Sequence, residues 1–311
     1  MSKILITGAL GHIGSKLIHS LKPGEFDEVR MIDNLLCQRY VSLFNLPQGV
    51  KFNFIEDDIC TVDLDKYFTG IDVVIHFAAI TDATSSHDKK DEVEKVNYLG
   101  TERVAEACIR NGCKLIFPST TSVYGVQSGI VDEDCAQVDL KPQSPYAESK
   151  IRAERLLESL GKYKGLKFVI CRFGTIFGTS IGMRFHTAVN KFCWQASMGQ
   201  SITVWRTALN QKRPYLGIED AISAIKLIIK NEIFDNNIYN VVTTNTTVGD
   251  IINIIKKDIT EIKIELVDTK IMNQLSYHVS GKKFEKHGFE YRSNIEQDIN
   301  DTIKILKNAC G

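Results

Sequence analysis

A glycine-rich turn between an apolar run and a helical pattern constrains the fold of this chain most strongly. The apolar run Lys3–Thr7 leads into Gly8-Ala9-Leu10-Gly11-His12-Ile13-Gly14, and a helical pattern covers Ile13–Leu21. Glycines allow a tight turn and a close approach of backbone to a ligand, and a helix N-terminus attracts anions. Although the spacing is GxxGxxG and not the commoner GxGxxG, its position predicts a site for the pyrophosphate of a dinucleotide.

Strand and helix patterns alternate through the first 175 residues. The later apolar runs are Glu28–Asp33, Lys51–Glu56, Asp72–Ala78, Lys114–Ser119 and Lys167–Phe173. Most are rich in β-branched or aromatic residues and apolar throughout, which is typical of strands buried on both faces. Helical patterns such as Asn97–Arg110 and Tyr146–Leu160 separate them. The alternation predicts an α/β fold with a doubly wound parallel sheet of the Rossmann type.

The pattern changes after about residue 175, where we predict a smaller C-terminal α/β lobe that binds substrate. The helix Ile218–Lys230 and the strand Ile238–Val242 are expected to return to the sheet. The predicted division is therefore 1–175, with 218–242 returning to it, for the dinucleotide domain, and 176–217 with 243–311 for the lobe. The lobe elements are predicted at Phe185–Met198, Ser201–Trp205, Val248–Lys257, Lys263–Val267 and Asn294–Lys307.

Composition narrows the class of protein. Lysine plus arginine and aspartate plus glutamate number 38 each, which gives no reason to expect nucleic acid or an anionic membrane as a partner. The eight cysteines form no CxxC pair and have no zinc spacing, so we expect thiols, mostly buried, and no metal. The N-terminus has no signal-peptide pattern, and no apolar run approaches the ~18 residues of a membrane span. A soluble cytoplasmic protein is expected.

Further candidates for the dinucleotide site follow the predicted strands. Asp33 ends the second strand, where a carboxylate accepts hydrogen bonds from the adenosine ribose and repels a 2′-phosphate. This favours NAD, and nearby Arg39 leaves NADP as the alternative. Asp58-Ile59 follows the third strand, where an adenine would lie, and Asp57 is an equally plausible carboxylate. Phe77-Ala78-Ala79 ends the fourth strand, and its small residues would let a dinucleotide lie close to the backbone.

Tyr146 and Lys150 form a candidate catalytic pair. Ser144 can cap a helix and Pro145 can occupy its first turn, so the phenol and the amine share one helix face. A tyrosine acting as a base near neutral pH needs its pKa lowered by about three units, or ~4 kcal/mol. A neighbouring ammonium and a positively charged nicotinamide can supply that. The hydroxyl-rich segment Ser119–Ser122 ends the fifth strand and offers a second hydrogen bond to the reacting oxygen.

Together these motifs resemble the extended short-chain dehydrogenase/reductases, in particular the NAD-dependent nucleotide-sugar epimerase/dehydratase family. The resemblance spans nearly the whole chain and is specific for the family, much less so for one member. Its further motifs are Asp33-Asn34, His76–Ala79, Asn97 with Gly100-Thr101, Arg172–Gly178, Gln211–Tyr215, Glu219-Asp220 and Tyr239–Val241.

The resemblance implies a role for each matching residue. Tyr146 would be the base, Lys150 its electrostatic partner on the nicotinamide ribose, and Thr120 the catalytic hydroxyl, with Thr121 or Ser119 as the alternative in another register. The implied NAD-binding residues are Gly8, Gly11, His12, Ile13, Gly14, Asp33, Asn34, Asp58, Ile59, Phe77, Ala78, Ala79, Asn97, Tyr146 and Lys150. Arg213 resembles the arginine that grips the substrate diphosphate. The other substrate-binding candidates are Thr81, Thr84, Thr121, Thr175, Arg184 and Asn190.

Two departures from the family pattern bear on the reaction. In 4,6-dehydratases an acidic pair, or a Ser-Glu pair, follows the catalytic threonine and removes water, whereas Thr121 and Ser122 carry no carboxylate. Thr175 stands where many relatives have an asparagine that contacts the substrate phosphate. We therefore expect an NAD-dependent epimerase that removes hydride from a nucleotide sugar at C4 and returns it to the keto intermediate. The alternatives are an NAD-linked 4-ketoreductase or dehydrogenase and a non-catalytic dinucleotide sensor.

A homodimer is the expected assembly. Relatives of this kind often pair through the helices predicted here at Asn97–Arg110 and Tyr146–Leu160, in a four-helix interface. Apolar residues beyond those that one sheet face needs support this expectation: Ala105, Ala107, Ile109, Leu156 and Leu157.

Overall fold

The computed structural model describes residues 2–83, 85–127, 129–268 and 277–307. The strands in these ranges are β1 Lys3–Thr7, β2 Glu28–Asp33, β3 Phe52–Glu56, β4 Val73–His76, β5 Lys114–Thr120, β6 Ile130–Val131, β7 Phe168–Phe173, β8 Thr175–Phe177, β9 Ile202–Trp205, β10 Lys212–Gly217, β11 Ile238–Val241, β12 Thr244–Thr247, β13 Ile264–Val267 and β14 His278–Val279. The α-helices are α1 His12–His19, α2 Asp65–Phe68, α3 Lys90–Val93, α4 Gly100–Asn111, α5 Pro145–Lys164, α6 Ala188–Ser197, α7 Ile218–Lys230, α8 Val248–Asp258, α9 Lys282–Glu285 and α10 Ile295–Lys307.

Seven parallel strands in the described ranges form the central sheet, in the order β11-β7-β5-β4-β1-β2-β3. The strand order changes direction at β1, because β2 and β3 lie on one side of it and β4 lies on the other, where Thr7 pairs with His76. Ligands of doubly wound folds bind outside the carboxyl ends of the strands at such a reversal. The predicted parallel Rossmann fold is confirmed, and the crevice it creates lies beside Gly8 and Phe77.

Alternate side chains of β1 explain why the sheet is covered on both faces. Ile4 and Ile6 are fully buried in one apolar cluster with α1 and α7, and Leu5 is fully buried in the other with α4 and α5. A third cluster gathers α6, α8 and α10 around Phe177 and Tyr215 and forms the core of the C-terminal lobe. Strand β11 follows the lobe's first elements in the chain but lies at the edge of the central sheet.

The predicted elements differ from the observed ones where backbone leaves the regular pattern to face the ligand crevice. The run Asp72–Ala78 is a strand only over Val73–His76, because its pairing with β1 ends where His76 lies opposite Thr7. The helix expected from Phe185 begins at Ala188. The three-stranded sheet β12-β10-β8 was not predicted, because its short strands carry no clear alternation.

The interpretation of the apolar residues on α4 and α5 as a surplus available for a dimer interface is wrong. Ala105, Ala107 and Leu157 are fully buried within the chain itself, and Ile109 and Leu156 pack against the same cluster. The physical reason is that α4 and α5 pack against each other as well as against the sheet, so two faces of each helix are apolar within one copy.

The remaining composition-based expectations have direct structural counterparts. Among the described residues, no helix combines the length and apolar character that crossing a membrane requires. The seven described cysteines are free thiols, and Cys108, Cys113, Cys171 and Cys193 are buried as expected. Cys37 is instead exposed, because it lies in the loop after β2 and not in an apolar element.

A buried ion pair fixes α5 against the sheet. Arg172 of β7 donates through Nη2 to Glu154 Oε2 of α5 at 2.7 Å, and through Nε to both carboxylate oxygens. Both side chains are at most 4% exposed. The Ser119 hydroxyl also bonds to Glu154, and Arg172 Nη1 donates to the Tyr124 hydroxyl at 3.0 Å. The pair is thus fully hydrogen-bonded, which a buried charge requires.

Arg172→Met should lower the free energy of unfolding by about 3–5 kcal/mol, because it leaves the Glu154 carboxylate buried without its partner. Arg110→Met is the matched control, since Arg110 forms a half-exposed pair with Asp65 at 2.9 Å and should cost at most ~1 kcal/mol. Urea denaturation of the three proteins measures both values. Equal losses for the two variants would show that the buried pair does not stabilise α5 on the sheet.

Candidate functional site

A cavity of about 800 Å³ lies at the carboxyl ends of the central strands and extends to the C-terminal lobe. Of the residues predicted to bind NAD, all but Asn97 line it. Asn97 instead holds the loop after β4, since its side chain accepts from Ile80 N and donates to Ile80 O, both at 2.8 Å.

The glycine turn forms the floor of the cavity. Gly8 has φ +65°, and a Cβ there would lie 2.6 Å from Ala78 N, so only glycine fits. A Cβ at Gly14 would lie 2.5 Å from Ala9 O. Gly11 caps α1 without any side-chain hydrogen bond, which leaves the first amides of the helix to face the cavity. A pyrophosphate suits such a cradle, because backbone amides and the helix dipole both favour an anion.

Two carboxylates shape the adenosine end of the cavity. Asp33 accepts from Leu10 N and Leu35 N, each at 3.0 Å, and so holds the glycine turn against the end of β2. Burial raises the pKa of Asp58, but hydrogen bonds from Cys60 N and from Asn34 outweigh that effect and hold the pKa below its usual value. Asp58 therefore carries a negative charge at neutral pH.

Asp57 also lines the cavity, so the sequence alternative between the two aspartates stays open in that respect. Its carboxylate differs from that of Asp58 in its partner, because it accepts from the Tyr67 hydroxyl at 2.8 Å.

Helix α5 presents the candidate catalytic pair to the same cavity. Its N-terminus is capped by Ser144, which accepts from Ala147 N at 3.2 Å. The Thr120 hydroxyl at the end of β5 lies within hydrogen-bonding reach of the Tyr146 phenol. Lys150 donates to Pro118 O at 2.8 Å. A phenol, a hydroxyl and a buried amine thus meet where the glycine-lined part of the cavity adjoins the lobe.

The contacts distinguish Thr120 from its two neighbours. Ser119 lines the cavity, but its hydroxyl is bonded to Glu154, and Thr121 donates to Phe173 O at 3.3 Å. Thr121 is buried and does not line the cavity, which does not suit its expected contact with substrate.

The polypeptide alone does not lower the pKa of Tyr146. Burial raises that pKa above 10, and the Thr120 hydrogen bond and the Arg184 charge oppose the rise only in part. Burial also lowers the pKa of Lys150 to about 7, with Glu154 opposing it. With a pKa of about 7, Lys150 is only about half protonated at neutral pH in the ligand-free chain, so the expected lowering of the Tyr146 pKa also needs the positively charged nicotinamide.

The expected substrate residues differ in where the structure places them. Thr81, Thr175, Arg184 and Arg213 line the cavity, and Thr84 lies outside the described residues. Asn190 does not line it: its amide donates to Arg184 O at 3.1 Å and supports the segment before α6.

Around the predicted Arg213, the sequence analysis missed three cavity residues of the lobe: Trp205, Tyr215 and Tyr277. Arg213 lies 5.9 Å from the centre of the Trp205 ring, and its Nε and Nη2 are buried without a hydrogen-bond partner among the described residues. The Tyr215 hydroxyl is buried in the same condition, and Tyr277 lines the cavity close to Thr121 and Ser122. Only Arg213 and Tyr215 belonged to a recognisable motif. Nothing in the sequence around Trp205 or Tyr277 indicated a site.

Comparison with known proteins decides the family. The sequence profile described as NAD dependent epimerase/dehydratase family matches residues 4–241. This chain belongs to the NAD-dependent epimerase/dehydratase family. The expected family and the expected cofactor, NAD, are both confirmed.

Curated relatives and solved structures agree with the assignment. A trifunctional UDP-glucose 4,6-dehydratase/UDP-4-keto-6-deoxy-D-glucose 3,5-epimerase/UDP-4-keto-L-rhamnose-reductase of Arabidopsis thaliana is 30% identical over 319 residues, 96% of this chain and 46% of that protein. The chain thus spans about half the length of this relative. An uncharacterized UDP-glucose epimerase of Bacillus subtilis is 31% identical over 236 residues, 73% of this chain and 72% of that protein. The UDP-glucuronic acid 4-epimerase of Bacillus cereus, with UDP-glucuronic acid and NAD, superimposes with a TM-score of 0.89 at 26% identity and 99% coverage of both chains.

Lys150→Met should change how the stability of the NAD-free protein depends on pH. Because the pKa of Lys150 is lowered to about 7, the unfolded chain binds one more proton than the folded chain between about pH 7 and pH 10. Wild-type stability therefore gains from rising pH in this window, and the variant lacks that gain. The difference in free energy of unfolding, variant minus wild type, should fall from pH 6 to pH 9.5. Lys162→Met, at an exposed lysine of the same helix, should give a flat difference, and a flat line for Lys150→Met would contradict the assignment.

Proposed function

We propose that this chain is an NAD-dependent epimerase of nucleotide sugars that acts at C4 through a keto intermediate. The observation that carries the proposal is the meeting of Tyr146 and Thr120 in one cavity that continues from the glycine turn to Arg213. The likeness to the Bacillus cereus UDP-glucuronic acid 4-epimerase supports it.

Each catalytic side chain has a task set by its position. Tyr146 takes the proton of the sugar hydroxyl as the C–O bond becomes a ketone, and returns it when the alcohol forms again. Thr120 donates a hydrogen bond to the same oxygen, and Lys150 holds the cofactor ribose. NAD, when bound there, would supply the acceptor for the hydride of the sugar carbon and the donor for its return. Oxidation and reduction balance within one turnover, so no outside oxidant or reductant is needed.

Arg213 suits the diphosphate of the substrate. Its Nε and Nη2 are buried and unpaired among the described residues, and a planar guanidinium can bond two phosphate oxygens at once. Thr81 and Thr175 line the cavity and supply hydroxyls for the sugar and the phosphate. We assign residues 1–175 and 218–242 to cofactor binding and residues 176–217 and 243–311 to the substrate lobe. The position of β11 in the central sheet supports this division.

The residues after Thr120 argue against a 4,6-dehydratase, although several curated relatives carry that name. Removing water needs an acid and a base beyond the tyrosine. Thr121 is buried and bonded to Phe173, and Ser122 brings a neutral hydroxyl to the cavity wall. Neither can take that role.

We also propose a homodimer in a reducing, cytoplasmic setting. Exposed Leu99, next to α4, and exposed Tyr163, at the end of α5, support pairing through these helices. The free thiols support the setting.

Light scattering at micromolar protein tests the assembly. The mass of a dimer is expected, and the mass of a monomer would contradict the proposal.

Tyr146→Phe should reduce turnover about 10²-fold or more, because it removes the proton acceptor while keeping the ring. NAD should stay bound, and Thr120→Val should cost less, since it removes only a hydrogen bond. Chromatography of products from UDP-glucuronic acid, UDP-glucose and UDP-N-acetylglucosamine measures the rates. Tyr163→Phe is the control for an exposed phenol on the same helix. Near-full activity of Tyr146→Phe on the best substrate would disprove the mechanism.

A further inference from the structure

A segment between β8 and α6 lies across the glycine turn. We call this segment, residues 178–187, the strap. Its Gly182 N donates to Ser15 Oγ of α1 at 3.0 Å, and a Cβ on Gly182 would lie 2.5 Å from Leu10 O. Its Ser180 Oγ lies 2.7 Å from His12 Nδ1. The strap is therefore fixed to the turn that receives the pyrophosphate.

The strap carries Arg184 into the cavity, where the charge of its guanidinium is not neutralised by contact. Arg184 Nη1 bonds to the Thr81 hydroxyl, and its Nε is buried without a partner among the described residues. Arg39 enters from the loop after β2, with Nη1 3.9 Å from the place of a Cβ on Gly11. In the described part of the chain, neither guanidinium forms an ion pair.

The surrounding charges leave this part of the cavity positive. Burial lowers the pKa of Arg184 to about 10, and repulsion from Arg39 adds to that effect more than the attraction of Asp82 opposes it. The same two cations act on His12. Burial, Arg184 and Arg39 lower the pKa of its imidazole to about 3, so the ring is neutral at pH 7. Two partly buried cations that repel each other are stabilised by an anion between them.

We propose that Arg184 and Arg39 clamp the diphosphate of NAD, and that the strap thereby retains the cofactor between turnovers. The attachment of the strap to α1 and the position of Arg39 beside Gly11 favour the cofactor diphosphate over the other anion that fits, a carboxylate on the sugar. Arg184, which the sequence analysis expected to bind substrate, is thus assigned to the cofactor site. The clamp does not depend on which sugar the enzyme takes.

Calorimetry on nucleotide-free protein tests the clamp with three probes: NAD, ADP-ribose and adenosine. Arg184→Gln should weaken binding of NAD and of ADP-ribose about tenfold or more, because both carry the diphosphate, and should leave adenosine unchanged. Arg184→Lys should weaken them less. Arg206→Gln is the control, since Arg206 forms an exposed pair with Asp268 outside the cavity. Chromatography should also find less NAD remaining on purified Arg184→Gln than on wild type.

Unchanged ADP-ribose affinity in Arg184→Gln would overturn the proposal. If that variant instead loses affinity for UDP-glucuronic acid but not for UDP-glucose, the anion is the sugar carboxylate and the clamp is wrong. Thermal unfolding checks that the variant is folded. In the proposed clamp, Arg39 contacts the same diphosphate from the side of the loop after β2. Arg39→Gln must therefore also weaken NAD and ADP-ribose binding and leave adenosine binding unchanged, which tests the proposal even if Arg184→Gln misfolds.

Discussion

The buried pair of Glu154 and Arg172 is the contact on which the catalytic geometry depends. Glu154 lies four residues after Lys150 and eight after Tyr146, so the three side chains project from neighbouring turns on one side of α5. Its carboxylate is bonded both to Arg172 of β7 and to Ser119 near the end of β5. One carboxylate therefore fixes the rotation of α5 relative to β7 and to β5, the strand that carries Thr120, the proposed catalytic hydroxyl. Its low solvent exposure makes either charge costly to leave alone.

The electrostatics of the site are complete only when charged ligands are present. In the chain itself burial raises the pKa of Tyr146 and lowers that of Lys150, so neither group is poised for its proposed task. A positive charge brought next to the phenol lowers its pKa by attraction, and hydrogen-bond acceptors near Lys150 favour its ammonium form. Among the described residues, Arg184 and Arg213, which line the cavity, also have guanidinium nitrogens without a hydrogen-bond partner. Binding and proton chemistry are thus coupled through the same few charges.

Sequence patterns predicted the parts of this protein that depend on local signals. The glycine turn, the buried strands and the Tyr146–Lys150 spacing each report a local backbone requirement, and the matching fold is observed. The resemblance named Thr120 but left Ser119 and Thr121 open. The structure was needed to distinguish them, because only the contacts show that the Ser119 hydroxyl is bonded to Glu154. The position of Arg184 also could not be predicted, since it depends on contacts between the strap and α1 across 167 residues of chain. The apolar faces of α4 and α5 were misread because periodicity does not tell a neighbouring helix from a second copy.

The central claim is that hydride leaves one sugar carbon and returns to that same carbon within a single binding event. A nucleotide sugar that the enzyme epimerises, carrying deuterium at C4, tests this most directly. After turnover in ordinary water, NMR and mass spectrometry should find the deuterium fully retained at the inverted C4, with no NADH accumulating in solution. Deuterium lost to solvent, or found in free NADH, would contradict the account.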